Sequence, residues 1–527
     1  MKIKHFLVAC LSAAFSTFAH AQTTVDWATD VAPILYENCV KCHRDGGIGH
    51  FSLIGYGNTA TNSFAIMDAT QARRMPPWKP DPSYRRFAHE RRLTDEQIQT
   101  IQDWVLAGAA PGDLSQAPPD PVFVPGSNVG APDHILTTPL YTVTATEDEY
   151  RCFVIPNGLN QPAFLRGLEA IPGNHEVVHH ILIYEDTTGQ AKVLDSQTPE
   201  PGYVNFGGTG VNGSRLIGAW VPGSTTILTP PFMGMKLTPG ADLIVQMHYP
   251  KGVAGMSDMT TLNFFFTPTN ENIREIRLAP LINHTPLSLE GWPLVIPANQ
   301  VKTYHAKFKT PIDGSVLSVA PHMHLIGRSI YSYAVTPQND TIPLIRINDW
   351  DFHWQGGYYF QKVQKIPANS TVHAFATYDN TLNNPFQPSN PPQLVTQGEA
   401  TTDEMMLIYF AFLEYQPGDE EILLDSTLLS SAAPFLSDAR DIGAMRAFPN
   451  PANEQISIEF EIAEMTDIQA SITNLNGGVL KIFAEKHDLA PGIYRENADI
   501  RDLPPGVYLV KIQTSSGKNR VTKIVKQ

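Results

Sequence analysis

Proline constrains this chain more than any other feature, because 43 of its 527 residues are proline and 37 more are glycine. Proline has no N–H to donate and clashes with the preceding helical turn, while glycine supplies the positive φ of tight turns. Long helical bundles are therefore disfavoured, and the pattern predicts a mainly β protein of many short strands joined by turns. A domain of roughly 100–200 residues is the usual size, so a chain of this length predicts three or four of them. The formal charge of −15 comes without a lysine or arginine cluster, which excludes a nucleic-acid partner.

The N-terminus, "MKIKHFLVACLSAAFSTFAHAQ", joins two lysines, an apolar stretch and an "AHA" cleavage signature, so residues 1–21 read as a signal peptide. The mature chain is expected to cross the inner membrane into the periplasm. No later segment reaches the ~20 apolar residues that span a bilayer. After cleavage Cys39, Cys42 and Cys152 remain, too few for a disulfide framework.

The first two cysteines lie in "CVKCH", Cys39 to His43. That spacing lets one helical turn present two thiols to the vinyl groups of a haem, with the adjacent imidazole as axial iron ligand. No second cysteine pair or βαβ setting supports a zinc or thioredoxin-like site. For the second axial position "ARRMPPWKP" offers Met75, whose following prolines hold an extended loop; Met67, His50 or water are the alternatives. A closing helix follows in "LTDEQIQTIQDWVLAGAAPGD", with Thr94 and Gln97 as a capping box, Ile98, Ile101 and Val105 on one face, and Gly108 as terminator. Residues 23–112 thus resemble a small α-helical cytochrome c domain carrying one covalently bound haem c. A Pro-rich linker occupies 113–131.

Beyond it, four stretches concentrate histidine and methionine. In "SVLSVAPHMHLIGRSI" alternate side chains of a strand leave one face, so His322 and His324 enter a shared volume while Met323 points away. Two buried imidazoles are costly unless a metal ion joins them. In "NHEVVHHILIYED" the adjacent His179 and His180 face opposite ways on a regular strand, so joint ligation requires a bulge or an irregular strand end. "IVQMHYP" adds His248, and "TTDEMMLIYFAFLEY" brings Met405 and Met406 into an apolar run. Imidazole with thioether suits copper cycling between its one- and two-positive states, since soft sulfur stabilises the reduced ion.

In that order and spacing, the four stretches resemble the copper type II, ascorbate-dependent monooxygenases, the family of dopamine β-monooxygenase and peptidylglycine α-hydroxylating monooxygenase. The resemblance covers about residues 132–432 and implies two jelly-roll β-sandwich domains, 132–298 and 299–432, facing each other across a solvent cleft. It further implies two copper ions. His179, His180 and His248 hold the electron-storing one, and His322, His324 and Met405 the one that binds O2, Met405 being the methionine that follows "DE". Tyr409 matches an active-site tyrosine, and Ala320 stands where peptide-amidating relatives have an arginine. The implied reaction is hydroxylation of a C–H bond in a small organic or peptide-like substrate with O2 and an external donor, an ascorbate-like reductant or redox protein. Electrons relayed by the haem are a further expectation. A non-catalytic copper and haem electron-transfer surface protein is the alternative. His134, His175, His284, His305, His353 and His373 match no ligand of the family, and Cys152 reads as a buried thiol.

From 445 to 527 alternating strands with turn signals predict a small Ig-like β-sandwich. Its "PNP" start, "GVYLVKI" strand and lysine-bearing last strand resemble the sorting domain of type 9 secretion cargo. That resemblance implies the type 9 machinery as a partner and a secreted or outer-surface location.

Overall fold

The computed structural model describes residues 25–526 apart from 122, 124–125, 128, 225, 269, 271, 426–441, 463–464, 475–478 and 516–518. The signal-peptide reading falls outside the described residues. The described residues form two compact units: one holds those up to Pro77 and those from Arg91 to 121, the other holds Trp78–Glu90 and those from Phe123 onward.

The first unit is helical. Its helices Ala32–Asn38, Tyr56–Thr61, Ser63–Gln71 and Asp95–Leu106 enclose Trp27, Val31, Leu35, Ile101 and Trp104, each almost fully buried. Thr94 and Gln97 form the expected reciprocal capping box, each satisfying a backbone N–H of the other's neighbourhood. The buried face is Ile101, Trp104 and Val105, with Ile98 only half-buried.

The second unit is mainly β, as the proline and glycine content predicts. Its first sandwich sets the sheet containing Glu149–Pro156, His180–Asp186, Arg215–Trp220 and Asp242–Tyr249 against one containing Ala163–Ile171 and Thr261–Phe266. Both sheets contribute to one core, with Phe153, Ile181 and Val245 from the former meeting Leu165 and Phe264 from the latter. The second sandwich packs the sheet of Arg277–Ile282, Gly314–His322, Tyr358–Ile366 and Leu407–Glu414 on that of Val301–Lys309, Gly327–Val335, Thr341–Ile347 and Thr371–Asp379. Val316, Phe360 and Phe410 interleave there with Ile330, Ile345 and Val372. A third sandwich, of three and four strands, forms the C-terminal part around Ile458, Ile472 and Val510.

Two boundaries differ from the sequence expectation. The second sandwich takes in Arg277–Ile282, which pairs antiparallel with Leu407–Glu414, so it starts before 299. Residues 78–90, expected inside the haem domain, pack on the second sandwich instead because Phe87, 1% exposed, belongs to its core.

Candidate metal centres

In the first sandwich the strands Glu149–Pro156 and His180–Asp186 flank Asp242–Tyr249, and the register sets Tyr150, His248 and His180 in one row. Directly opposed residues of an antiparallel pair share a face, so the row puts two imidazoles and a phenol together. His179 lies just before the strand begins, and its N–H bonds to the carbonyl of His248 at 2.9 Å. That is the irregular strand end the adjacent histidines require.

The three imidazoles offer nitrogens that all lie within 4.8 Å of one another. His179 Nδ1 is 3.2 Å from His180 Nδ1. His248 is fully buried, stacked on Tyr150 at 4.3 Å, and both its ring nitrogens lack a hydrogen-bond partner, as does His179 Nε2. Buried nitrogens without partners are costly unless something else binds them. Burial, then the neighbouring His248, pushes the His179 pKa down to about 3, and the same causes push His180 well below the usual range. His179 and His180 are therefore neutral at physiological pH. Asp148 Oδ1 sits 3.7 Å from His248 Nε2 and has its own pKa pushed far down, first by that imidazole.

In the second sandwich His322 ends the strand Gly314–His322, and His324 follows in a turn. Met323 is buried in the core while the two imidazoles stand 5.1 Å apart, ring centre to ring centre, as alternation predicts. His322 Nδ1 donates to Gln355 Oε1 at 2.6 Å, and His324 Nδ1 donates to the Asp403 carbonyl at 3.2 Å. Both Nε2 atoms are thereby left as bases. Burial lowers His322 to about 4, against the opposing pull of Gln355.

Met405 is 6% exposed and its carbonyl accepts from the Tyr378 hydroxyl at 2.7 Å. Met406 packs in the apolar core. Glu404 is fully buried, with its oxygens accepting the N–H groups of His324, Ile326 and Met405 at 2.9, 2.9 and 3.2 Å. Burial pushes its carboxyl up to about 8, moderated by those bonds. Glu404 thus ties the histidine turn to the methionine segment. Tyr409 lies opposite Ala320 in the register, half-buried, with burial raising its pKa to about 12.

The two clusters adjoin. Phe352 stacks on His179, centroids 4.6 Å apart, and meets His324 edge-on at 5.8 Å. At this level a phenyl ring lies against one imidazole of each cluster. A polar link runs alongside, as Thr401 donates to Asp148 at 2.9 Å and Tyr150 donates to the Glu399 carbonyl at 3.0 Å.

Sequence reasoning missed Phe352, Gln355, Asp148 and Glu404, and set His284 aside. His284 Nδ1 accepts the Met406 N–H at 3.3 Å and the ring lies near enough to His322 to lower its pKa. His353 turns its ring toward His179 at 6.4 Å. As expected, Cys152 is a buried free thiol.

In the helical unit "CVKCH" continues the helix Ala32–Asn38 by one turn, with Cys39 N–H on the Leu35 carbonyl and His43 N–H on that of Cys39. His43 Nδ1 donates to the Phe51 carbonyl at 3.2 Å, which frees Nε2. A Cβ at Gly49 would stand 2.6 Å from His43 Nδ1, so the ring occupies space only glycine leaves. Cys39 and Cys42 are free thiols, and burial pushes Cys39 up to about 12. Met75 follows the helix Ser63–Gln71 and is half-buried; Met67 is also half-buried and His50 exposed.

No curated protein matches the chain. Solved structures similar to it include a β-glucuronidase of Faecalibacterium prausnitzii, 8% identical over 43% of this chain and 37% of that one with a TM-score of 0.13. Dimeric latent PorU of Porphyromonas gingivalis is another, 10% identical over 82% of this chain and 37% of that one with a TM-score of 0.16. The chain spans little more than a third of either, and likenesses this slight carry no argument. Family models are more telling. Residues 446–527 match the secretion system C-terminal sorting domain, which marks the chain for export by type 9 secretion to the cell surface or beyond. Residues 299–422, the stretch that holds His322, His324 and Met405, match the C-terminal domain of the copper type II ascorbate-dependent monooxygenases.

Proposed function

We propose that the chain is an exported dicopper monooxygenase that hydroxylates a C–H bond of a small organic or peptide-like substrate with O2. His179, His180 and His248 hold an electron-storing copper, and His322, His324 and Met405 hold the copper that meets O2. The observation that carries the reading is the state of the imidazoles: Nδ1 of His322 and of His324 is engaged, leaving two bases at Nε2, while the nitrogens of the other three converge within 4.8 Å. When bound there, copper supplies one-electron chemistry with O2, and a thioether beside two imidazoles favours it over zinc. Met405 is preferred to Met406 because Met406 is committed to the core.

The chain's own groups hold the geometry. Gln355 and the Asp403 carbonyl fix the tautomers of His322 and His324, Asp148 places a negative charge beside His248, and Phe352 keeps bulk water from the space between the clusters. Tyr409, protonated at neutral pH, is a hydroxyl donor for a substrate.

Cys39, Cys42 and His43 would hold a covalent haem c, with Met75 as a further residue that would bind it. A group that accepts and passes single electrons matches a centre that consumes them singly. A haem held there would supply single electrons in place of, or in addition to, ascorbate or a redox protein.

Oxygen uptake by copper-loaded protein, driven by ascorbate over a panel of small organic and glycine-extended peptide substrates, tests the reading. Substrate-dependent uptake lost in His324→Ala and Met405→Ala supports it; copper binding with no substrate-dependent uptake would make the chain an electron-transfer protein.

A further inference from the structure

Residues 78–90 interrupt the helical unit in sequence and form a strap on the second sandwich. At one end Pro80 bridges Ile347 and Asp81 N–H bonds to the Arg346 carbonyl at 2.8 Å; at the other Phe87 bridges Phe360 and Ala88 N–H bonds to the Tyr359 carbonyl at 2.8 Å. Thr341–Ile347 and Tyr358–Ile366 are edge strands of opposite sheets. The strap thus covers two open edges at once, which unpaired N–H and C=O groups favour. It is held by more than backbone. Arg346 and Asn348 both donate to Asp81 at 2.9 Å, Arg85 lies 4.0 Å over the Phe360 ring, and Trp78 meets Tyr358 edge-on at 5.3 Å.

The two strands it grips are joined by the loop 348–357. That loop carries every contact just described between the clusters' aromatic side: Phe352 on His179 and His324, His353 toward His179, and Gln355 on His322. Lys79 reaches into it, with Nζ 3.1 Å from Asp349 Oδ2 and 3.5 Å from Asp351 Oδ2. Asp351 in turn accepts the His353 N–H at 3.0 Å. Lys79 and Asp351 are about one-fifth exposed, so the pair is shielded more than a surface ion pair.

We propose that the strap is a positioning element of the metal centres, and that Lys79, through Asp349 and Asp351, holds the 348–357 loop so that Phe352 stays on His179 and Gln355 stays on His322. Lys79 is a positioning residue, since it touches no ligand itself. The inference rests on the reading above only for which metal the clusters hold.

The test uses the full-length protein with Lys79→Met, Lys79→Arg and Asp351→Asn. Amide exchange over 349–356 should rise about fivefold in Lys79→Met and Asp351→Asn, the scale of a lost partly buried ion pair. The electron paramagnetic resonance of Cu(II) at His322 and His324 should broaden, as Gln355 ceases to fix the ring. Lys79→Arg should restore both, while exchange in Asp95–Leu106 is unchanged throughout. Exchange that rises with an unaltered copper spectrum, or no change in either, overturns the proposal and leaves the strap as an edge cover. Wild-type protein that takes no copper at His322 and His324 defeats the functional reading alone; exchange at Phe352 and Gln355 then decides the strap.

Discussion

The ring of Phe352 lies nearly parallel to the imidazole of His179, their planes 18° apart and centroids 4.6 Å apart, while the same ring stands almost perpendicular to His324. One apolar side chain therefore touches an imidazole of each cluster, and the two clusters share a wall.

Phe352→Ala removes that wall. The loss should cost about 3–5 kcal/mol of stability, as buried Phe→Ala changes do. With both sites holding Cu(II), the dipolar coupling between the ions should spread over a wider range, because nothing sets their separation. An equally narrow coupling in the variant would show that the Thr401–Asp148 link alone fixes it.

Glu404→Gln keeps one acceptor but turns an amide N–H₂ toward backbone N–H groups. A buried donor left without a partner costs about 1–3 kcal/mol, so the variant should unfold at correspondingly lower denaturant and bind copper more weakly at His322 and His324 than at the other cluster. Equal weakening at both sites would contradict a local role for Glu404.

The haem assignment predicts a thiol count. After denaturation, mature protein should offer one thiol to alkylation, Cys152, since thioether bonds survive unfolding. Alkylation of Cys39 and Cys42 as well as Cys152 would mean that no haem is attached.

Arg274 and Asp419 give a pH dependence. Burial alone would raise the Asp419 carboxyl, but hydrogen bonds from Arg274 and Ser315 outweigh it and hold the pKa below the usual value. A depressed folded pKa means that the unfolded chain takes up protons first. This contribution is thus complete above about pH 4 and lost as the pH falls further. Asp419→Asn should be less stable at pH 7 and should flatten the acid limb of the stability curve. Parallel acid limbs in the two proteins would assign the loss to other carboxylates.

Much of this was legible in the sequence because its signals are local. The alternation in "PHMH" places His322 and His324 together and sends Met323 to the core, and the capping box of Thr94 and Gln97 is readable from spacing alone. The site's supporting groups were not. Gln355 reaches His322 across 33 positions and Glu404 reaches the N–H of His324 across 80, distances over which no periodicity speaks. Asp148 precedes a strand that reads simply as buried, and Phe352 is one apolar residue among many. The strap was misplaced for a related reason. Residues 78–90 follow the haem motif in sequence, but only tertiary packing of Phe87 and Arg85 reveals which sheet edges they cover.

The proposed function requires six side chains to form two separate three-ligand copper sites, with a single thioether among them. X-ray absorption on the protein loaded with Cu(I) tests it most directly. Two coppers per chain are expected, with a sulfur contribution that disappears in Met405→Leu while the imidazole contribution persists. One copper per chain, or a sulfur signal indifferent to the loss of Met405, would contradict it.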